Sequence, residues 1–384
     1  MDKLREGIRW LCDESHMLAG MAVSFGNERR GLEVSYRYGE NTLFDLASLT
    51  KMFTILSLMK LRDEGILSLS DPLSKWDRRF AAIGDVTLFE LVTFAQRLVT
   101  PGRVDDAPDR ETALDRLFAV TAQPHTGGRV YSDIHAMALK YVIEAAGGQS
   151  YFDYLSHWLL KPLKLRNIFA AVPEDKRSLC ASCDGEHRIE GERFICRRGV
   201  LPGTPHDPKA RILSPDGKDL CGHAGLFGSL SDLTVLCRAL LSGDILSLDT
   251  LSEMAVNRTG KPLSWGYSQY LGYQCFVKHP DQRHSEVPPY MGENALSWSG
   301  FTGHHLSFDA DRKLFCVILG NRVENRLTVL APPPGKTLAD YGLNPDGSGL
   351  YAWPDGNNIY SSVNYVYQKD ERLHAPIARL LKDL

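Results

Sequence analysis

One long, mostly apolar segment constrains the fold more than any other feature of the chain. It reads LASLTKMFTILSLMKLRDEGI over residues 46–66, and its apolar side chains recur at helical spacing. Gly65 supplies a C-terminal stop, because glycine readily adopts the left-handed conformation that ends many helices. The pattern therefore predicts a buried helix that begins near Ser48 and ends near Gly65.

Segments of β-type composition lie on both sides of this helix in the sequence. Residues 19–38 contain two short apolar runs joined by a polar turn, which predicts a β-hairpin. Three later segments have the composition and spacing of an antiparallel meander; they span residues 267–276, 295–308 and 313–321. We expect these segments to join the hairpin in one sheet.

The stretches between these segments differ in character. Helical patterns alternate with Pro- and Gly-containing loops over residues 66–165, which predicts a mainly helical lobe. Residues 170–222 lose this periodicity and read as a long loop region. Residues 331–361 are rich in Pro and Gly and read as an irregular excursion before a closing C-terminal helix.

Length and composition are those of a globular protein with two units. The chain has 384 residues, more than one domain usually contains, and its 43% hydrophobic and 24% charged residues are ordinary values. We predict an α/β (α+β) fold. Residues 1–60 and 225–384 would form an antiparallel sheet flanked by helices, and residues 61–224 would form an inserted, mainly helical unit.

The charge balance argues against polyanionic partners. Lys and Arg number 44 against 47 Asp and Glu, so the net charge of -3 provides no basic field for nucleic acid or an anionic membrane. Residues 1–18 resemble an amphipathic helix, and no window approaches the roughly 20 apolar residues of a membrane span. We expect a cytoplasmic protein that acts on a small molecule, with no nucleic-acid or membrane partner; its oligomeric state is open.

Eight cysteines are scattered through the chain, unlike the dense pattern of a small disulfide-stapled domain. One local cluster contains Cys180, Cys183, His187 and Cys196, and its C-x-x-C spacing resembles half of a zinc site. The second half has no paired motif, and cysteines also serve as small hydrophobic residues. We therefore predict no metal site and no cofactor.

Ser48 and Lys51 could carry nucleophilic chemistry at the start of the buried helix. Their i,i+3 spacing puts both side chains on one helix face. A serine hydroxyl needs a neighbouring base near neutral pH, and burial can lower the pKa of a lysine enough to help. The helix N-terminus also offers N–H groups that stabilise an oxyanion. The alternative is an ordinary helix start with Ser48 as N-cap and Lys51 exposed.

Several segments resemble one protein family in their order and spacing up to Arg322. They are FDLASLTK with DEGILSLSDPLSKW, then GGRVYSDIHAMAL, CGHAGLFGSLSDL and SWSGFTGHHLSFDADRKLFCVILGNRV. These segments resemble the motif regions of class C β-lactamases and penicillin-binding-protein-like serine hydrolases. The resemblance implies a β-lactamase-like fold, with an antiparallel sheet flanked by helices, an inserted helical domain and an active site between them.

The resemblance also implies a role for each matching residue. Ser48 is the nucleophile that becomes acylated, with Lys51 one helical turn behind it. Tyr131, the first residue of a motif like Tyr-x-Asn, deprotonates Ser48 or relays its proton to Lys51, and later protonates the leaving group. The backbone N–H groups of Ser48 and Phe301 form the oxyanion hole.

The chain departs from this family at two motifs. Trp298-Ser299-Gly300 stands where β-lactamases and peptidases carry Lys-Thr-Gly or His-Thr-Gly. In those enzymes the cation holds the substrate carboxylate, and Trp298 would offer an apolar wall in its place. The W-x-G pattern resembles that of carboxylesterases of this fold. Asp133 replaces Asn; it could hold Lys51 protonated, bind an amine-bearing substrate, or be a hydrogen-bonded loop carboxylate.

Histidines near these motifs could have a structural or a binding role. His206 and His223 lack metal-site spacing, and we expect them to brace loops by hydrogen bonds. His304 and His305 follow the third motif on a strand, so one of them should face the cleft. The predicted substrate-binding residues are Asp133, Trp298, Ser299, Gly300 and His304.

Three functional hypotheses follow. The first is a carboxylesterase or amide hydrolase that acts through an acyl-Ser48 intermediate on small, uncharged acyl substrates. The second is a β-lactamase or a peptidase specific for D-amino acids. The third is a binding protein that keeps the fold without the chemistry, although a binding protein has no special use for Ser48, Lys51 and Tyr131 together.

Overall fold

Two five-stranded sheets and their surrounding helices build the structure, a computed structural model that describes residues 1–123, 131–260, 269–282 and 285–384. The strands are β1 (Met21–Asn27), β2 (Gly31–Tyr36), β3 (Phe44–Asp45), β4 (Arg97–Val99), β5 (Thr121–Gln123), β6 (Glu186–Glu190), β7 (Arg193–Arg197), β8 (Phe227–Gly228), β9 (Leu296–Gly300), β10 (His304–Asp309), β11 (Leu314–Gly320), β12 (Arg326–Ala331), β13 (Leu350–Ala352) and β14 (Asn358–Ser361).

The helices surround both sheets. They are α1 (Asp2–Arg9), α2 (Thr50–Asp63), α3 (Leu88–Val92), α4 (Arg110–Phe118), α5 (Asp133–Gly147), α6 (Tyr151–Leu155), α7 (Pro208–Leu213), α8 (Leu230–Ser242), α9 (Leu248–Met254), α10 (Tyr365–Lys369) and α11 (Ala375–Leu380). In the described ranges, no helix combines the length and the apolar character that a membrane span requires.

The first sheet confirms the predicted antiparallel meander. Its strands follow the order β2-β1-β11-β10-β9, and each neighbouring pair is antiparallel. The hairpin predicted over residues 19–38 is formed by β1 and β2, and the segment predicted over 313–321 contains β11. The segment predicted over 295–308 is two strands, because a turn at residues 301–303 reverses the chain between β9 and β10.

The strand predicted over residues 267–276 is wrong for the part of it that the structure describes. Residues 267 and 268 lie outside the described ranges, and the residues after them form only isolated bridges, including one from Leu271 to Phe276. A tight turn separates these two residues: Gln274 has φ 48°, and a Cβ on Gly272 would lie 2.1 Å from the carbonyl oxygen of Met254. The chain therefore reverses where the composition predicts an extended segment.

The buried helix predicted near Ser48 is confirmed. A 3₁₀ turn over Ala47–Leu49 leads into α2, whose residues are buried from Thr50 to Met59. Gly65 follows the helix with φ 72°, the left-handed conformation expected at a helix end. The apolar cluster around α2 extends to α5, to α8 and to one face of the first sheet, so this helix lies in the main core.

The first sheet is apolar on both faces. Along β11, Phe315, Val317 and Leu319 face the main core, while Cys316 and Ile318 face a cluster that contains side chains of α1 and α11. This alternation places the helices at the two ends of the chain on one side of the sheet and α2 on the other.

The sequence analysis missed the second sheet, whose order is β13-β14-β12-β6-β7. The hairpin of β6 and β7 lies in residues 170–222, predicted as a loop, and β13 and β14 lie in residues 331–361, predicted as irregular. All four strands are short, and β6 and β7 also carry several charges, so their hydrophobic pattern is weak. The parallel pairing of β12 with β6 joins strands from both sides of residue 225, and the division into two units there stays a prediction.

Candidate active site

The side chains of Ser48 and Lys51 are in contact, as their helical spacing predicts. Lys51 Nζ donates a hydrogen bond to Ser48 Oγ at 2.9 Å and another to the backbone carbonyl of His223 at 3.3 Å. The Lys51 side chain has no solvent exposure, whereas Ser48 is half-buried. This arrangement is not the ordinary helix start of the alternative interpretation, because that would leave Lys51 exposed.

Asp133 holds Lys51 in its charged form. Burial by itself lowers the pKa of a lysine, but the Asp133 carboxylate, 2.7 Å away, and Tyr131 outweigh burial and raise the pKa of Lys51 above its usual value. Burial likewise opposes ionisation of Asp133, yet the charges of Lys51, His223 and Lys209 hold the pKa of its carboxyl well below the usual range. Of the roles considered for Asp133, the geometry favours the one in which Lys51 stays protonated.

The charged groups around Lys51 form a closed ring beside Ser48. Lys209 Nζ lies 3.2 Å from Asp133 Oδ2 and 3.2 Å from Asp207 Oδ2. His223 Nε2 lies 3.1 Å from Asp207 Oδ1, and the backbone carbonyl of His223 accepts the hydrogen bond from Lys51. Each member is therefore positioned by its two neighbours. The predicted bracing role of His223 has a specific form here, because the side chain that binds Asp207 also directs a carbonyl towards Lys51.

Sequence reasoning missed Lys209 and the ionic role of Asp207. Asp207 begins α7 as its N-cap, and its Oδ1 accepts a hydrogen bond from the Ala210 N–H at 3.0 Å. The available signal was the segment DPKA, since Asp followed by Pro is typical of a helix start and would place Lys209 in the first turn. Only the tertiary packing of α7, which contacts α4, brings this lysine to Asp133.

The same residues offer possible metal ligands. One ligand atom from each of Asp133, Asp207 and His223 lies within 4.8 Å of the others. Lys209 Nζ, however, bridges the two carboxylates, so an ammonium group of the chain already supplies the positive charge. The donor set therefore does not fit a resident metal ion, which would have to displace Lys209 and sit close to Lys51.

The half zinc site considered in the sequence does not assemble. Cys180, Cys183, His187 and Cys196 do not form a group of possible metal ligands within the described ranges. Cys183 is buried, whereas Cys196 is exposed on β7 opposite His187.

The backbone just before the nucleophile adopts an uncommon conformation. Ala47 has φ 46°, which costs roughly 1–2 kcal/mol for a residue with a side chain. The buried Asp45 carboxylate compensates, because its Oδ1 accepts the Ala47 N–H at 2.9 Å and its Oδ2 accepts the His206 N–H at 2.5 Å. His206 thus braces the loop through its backbone, while its Nε2 lies 2.9 Å from the buried Glu186 carboxylate.

Gly300 allows β9 to approach this turn. A Cβ at position 300 would lie 2.7 Å from the carbonyl oxygen of Leu46, closer than side chains and carbonyls approach in folded proteins. Gly300 therefore contributes to the site by leaving room for the turn that carries Ser48.

Ser48 lines a cavity, described below, that Trp298 and His304 do not line, in contrast to the sequence prediction. Strand residues alternate between faces, so Trp298 points into the main core while Ser299 faces the cavity. Trp298 stacks on Phe308 and donates its indole N–H to the carbonyl of Gln274 at 2.8 Å. Trp298 therefore does not form the predicted apolar wall of the site.

His304 braces the strand before the nucleophile. The N–H of Gly320 donates to His304 Nδ1 at 3.2 Å, so Nε2 carries the proton and donates to the carbonyl of Asp45 at 2.7 Å. Burial lowers the pKa of His304 to about 4, which keeps the imidazole neutral near neutral pH. His304 lines a cavity of about 170 Å³ that also touches Ser299, Gly300 and Phe301.

Tyr131 is held between two phenylalanines. Its ring stacks on Phe276, with centroids 5.5 Å apart and planes 9° apart, and packs against Phe94 at 5.4 Å. Lys51 Nζ lies 4.8 Å from the centre of the Tyr131 ring. The aromatic contacts restrain the ring beside the ammonium group, and residues 124–130, which precede it, lie outside the described ranges.

A cavity of about 380 Å³ joins most of the predicted site residues. Ser48, Tyr131, Asp133, Ser299 and Phe301 line it together, so the two predicted oxyanion-hole residues share the space that a reacting carbonyl would enter. The sequence analysis did not anticipate the basic side chains of this cavity, which are Arg103, Arg188, Arg197 and Lys209.

The sequence profile of the family described as Beta-lactamase matches residues 12–333. The chain belongs to the beta-lactamase family. Members of this family are serine hydrolases, and the matched range contains the ring around Lys51 and both sheets except β13 and β14.

Relatives within the beta-lactamase family cover most of the chain. An N-acetylmuramyl-L-alanine amidase of Bacillus subtilis (strain 168) is 24% identical over 364 residues, which cover 87% of this chain and 80% of the relative. The solved structure of EstCE1, a hydrolase with promiscuous acyltransferase activity, has a TM-score of 0.65 at 21% identity and covers 83% of this chain and 93% of its own.

A class C beta-lactamase from Rhodobacter sphaeroides has a TM-score of 0.62 at 18% identity, with 84% of this chain and 94% of its own covered. These structures share the beta-lactamase fold with the chain, which confirms the predicted fold class.

Proposed function

We propose that the protein hydrolyses an ester or amide bond through an acyl intermediate on Ser48. One observation carries the proposal: Lys51 Nζ, fully buried, lies 2.9 Å from Ser48 Oγ and 2.7 Å from the Asp133 carboxylate. Burying an ammonium group costs several kcal/mol unless it is paired. A binding protein has no use for such a group aimed at a half-exposed serine, so the contact supports catalysis over binding alone.

The protonation of Lys51 determines how the proton moves. An ammonium group cannot accept the proton of Ser48, but it stabilises the negative charge that develops on Oγ. Tyr131 lies beside Lys51 and lines the same cavity, and in our proposal its phenolate form, with the Lys51 ammonium as counter-ion, accepts the Ser48 proton and becomes the phenol. The phenol returns this proton to the leaving group when the tetrahedral intermediate collapses.

The carbonyl of the substrate occupies the space between Ser48 and Phe301 in this mechanism. The backbone N–H groups of these two residues donate to the carbonyl oxygen as it becomes negative. A water molecule then attacks the acyl-Ser48 ester, with Tyr131 accepting its proton, and the serine is released.

The similarity to the Bacillus subtilis amidase covers most of the chain. It supports including amides, as well as esters, among the proposed substrates. The predicted preference for uncharged acyl groups depended on Trp298 as an apolar wall, and Trp298 lies in the core instead. The charge of the acyl group is therefore open at this stage.

The experiment is covalent labelling followed by intact-mass spectrometry. A fluorophosphonate probe and p-nitrophenyl acetate should each add one adduct, on Ser48, and the acetyl adduct should turn over. Ser48→Ala should abolish labelling and hydrolysis. Ser70→Ala is the matched control, because Ser70 is an exposed serine that is not among the cavity's lining residues. Full activity of Ser48→Ala would overturn the proposal.

A further inference from the structure

We propose that the substrate carries a monoanionic group, of the carboxylate class, that binds to Arg188 and Arg197 of the β6–β7 hairpin beside the Ser48 cavity. This inference rests on the proposed hydrolase function and names the substrate class of the same site.

The register of the hairpin gathers its arginines on one face. Glu186 pairs with Arg197, Arg188 with Ile195, and Glu190 with Arg193. Paired residues of antiparallel strands project to the same side of the sheet, and every second residue of a strand does so as well. Three arginines and two glutamates therefore share one face of the hairpin, listed in strand order as Glu186, Arg188, Glu190, Arg193, Ile195 and Arg197.

This face continues the nucleophile's cavity. A second cavity of about 360 Å³ adjoins the first, and both are lined by Arg103, Asp105, Arg188 and Arg197. The two cavities together form a groove that runs from Ser48 along the hairpin. A substrate whose reacting carbonyl lies at Ser48 would place a group a few atoms away against these guanidinium groups.

The acidic groups near Ser48 already have cationic partners. Asp133 and Asp207 are engaged by Lys51, Lys209 and His223. In the same way, Arg103 is paired with Asp105, with Nη2 2.6 Å from Oδ2. These groups therefore supply little free charge for a ligand of either sign.

The hairpin arginines are not fully paired in this way. Arg188 and Arg197 share one carboxylate, that of Glu186, at 3.4 Å each. Glu186 has no exposed surface, and its oxygens also lie 2.7 Å from Thr328 Oγ1 and 2.9 Å from His206 Nε2. Arg188 also reaches Glu190, again at 3.4 Å. In the described part of the chain, the buried Nε of Arg188 makes the long ionic contact with Glu186 but has no hydrogen-bond partner.

The hairpin face carries three arginines against two glutamates, so it offers unused hydrogen-bond donors and one surplus positive charge. Guanidinium groups present their N–H donors in a fork that matches a carboxylate. A single surplus charge suits a monoanion better than a doubly charged phosphate. The groove thus selects acyl compounds whose far end is a carboxylate, the opposite of the uncharged substrates that the Trp298 motif predicts.

The test compares esters of equal chain length in which a terminal methyl is replaced by a carboxylate, with the spontaneous hydrolysis of each ester subtracted. Pairs are p-nitrophenyl butyrate with the p-nitrophenyl hemiester of succinate, and p-nitrophenyl valerate with the hemiester of glutarate. In at least one pair, kcat/KM of the charged ester should exceed that of the neutral ester by about tenfold or more, the scale of a charge-assisted hydrogen bond. The variants Arg188→Gln and Arg197→Gln should each reduce this ratio, and Arg188→Lys should keep part of it.

Arg29→Gln with Arg30→Gln is the control for net charge, because both arginines are exposed on the β1–β2 turn; its ratio should equal that of the wild type. If a variant folds poorly, the wild type can be labelled at Ser48 with the fluorophosphonate probe in the presence of glutarate or valerate. Glutarate should slow the labelling more than valerate does. A ratio near one with both esters turned over would overturn this inference and leave the hydrolase standing. Absence of both labelling and turnover would overturn both.

Discussion

Asp133 Oδ1 lies 2.7 Å from Lys51 Nζ, inside a core that gives the lysine no access to solvent. The carboxylate is itself shared, because Lys209 Nζ lies 3.2 Å from its other oxygen. The ammonium groups of Lys51 and Lys209 therefore both pair with the Asp133 carboxylate next to Ser48. In a low-dielectric site this arrangement keeps Lys51 charged and leaves the acceptance of the Ser48 proton to another group.

Replacing Asp133 by Asn should lower the pKa of Lys51. The carboxylate raises that pKa against the effect of burial, so its removal leaves burial less opposed and Lys51 loses its proton at a lower pH. The alkaline limb of kcat/KM for p-nitrophenyl acetate should move to lower pH by about one unit or more. The exposed Asp115→Asn is the control and should leave the profile in place. An unchanged profile in Asp133→Asn would contradict the role given to this pair.

Replacing Lys209 by Gln should act on the opposite limb. Lys209 helps to lower the pKa of both Asp133 and Asp207, so its loss raises both values. Activity should then begin to fall at higher pH as the solution is acidified, and kcat should drop by about tenfold as the ring loosens. Lys209→Arg keeps the charge and should retain the wild-type acid limb. Equal profiles for the Gln and Arg variants would show that Lys209 only fills space.

Gly300→Ala should impair catalysis without a change in chemistry at the site. The added Cβ would lie 2.7 Å from the Leu46 carbonyl, so either β9 or the turn that carries Ser48 must move. Displacement of reacting groups by about 1 Å can lower rates about 100-fold, and we expect a loss of this order in kcat/KM. Gly39→Ala is the control, since nothing lies within 4 Å of a Cβ there. Wild-type kinetics in Gly300→Ala would refute the steric argument.

Trp298→Phe should reduce stability but not substrate preference. The change leaves the Gln274 carbonyl without the indole N–H that it accepts at 2.8 Å, at a cost of about 1–3 kcal/mol in the free energy of unfolding. The ratio of kcat/KM between short and long acyl esters should stay that of the wild type. Urea unfolding measures the loss of stability, and a series of p-nitrophenyl esters measures the acyl preference. An altered acyl preference would contradict the position of Trp298 in the core.

Acid should weaken the second sheet through Glu186. Burial opposes ionisation of this carboxyl, but His206, Thr328 and Arg188 lower its pKa from the usual 4.5 to about 2. Because the pKa is lower in the folded protein, Glu186 stabilises the fold at pH values above its pKa in the unfolded chain. This contribution disappears as the pH falls from about 4.5 to 2. It amounts to about 3 kcal/mol for a shift of this size.

Urea unfolding at pH 6 and pH 3 measures this effect. Glu186→Gln should be less stable than the wild type at pH 6 and should lose less stability between the two pH values. An equal loss in both proteins would assign the acid sensitivity to other groups.

Local patterns in the sequence were sufficient for several elements. The helical spacing of apolar residues predicted α2, and the i,i+3 separation predicted the contact of Ser48 with Lys51, because both depend on neighbours within one turn. Alternating and apolar runs predicted β1, β2 and β11 for the same reason. The family motifs extended this to Tyr131 and Phe301, which line one cavity with Ser48.

Long-range packing decided the rest. Strand β6 pairs with β12 more than a hundred residues away, and its charged residues carry too weak a pattern to predict it. Trp298 and Ser299 are adjacent in sequence, yet the register of β9 turns the former into the core and the latter into the cavity. Lys209 reaches Asp133 only through the packing of α7.

The sequence by itself therefore determined α2, the contact of Ser48 with Lys51, and the extended character of β1, β2 and β11, because these depend on residues within a few positions of one another. The charge that surrounds Ser48, from Lys209 to the arginines of the hairpin, was decided by tertiary structure. Electrostatic interactions depend on distance in space, and no spacing along the chain records that distance.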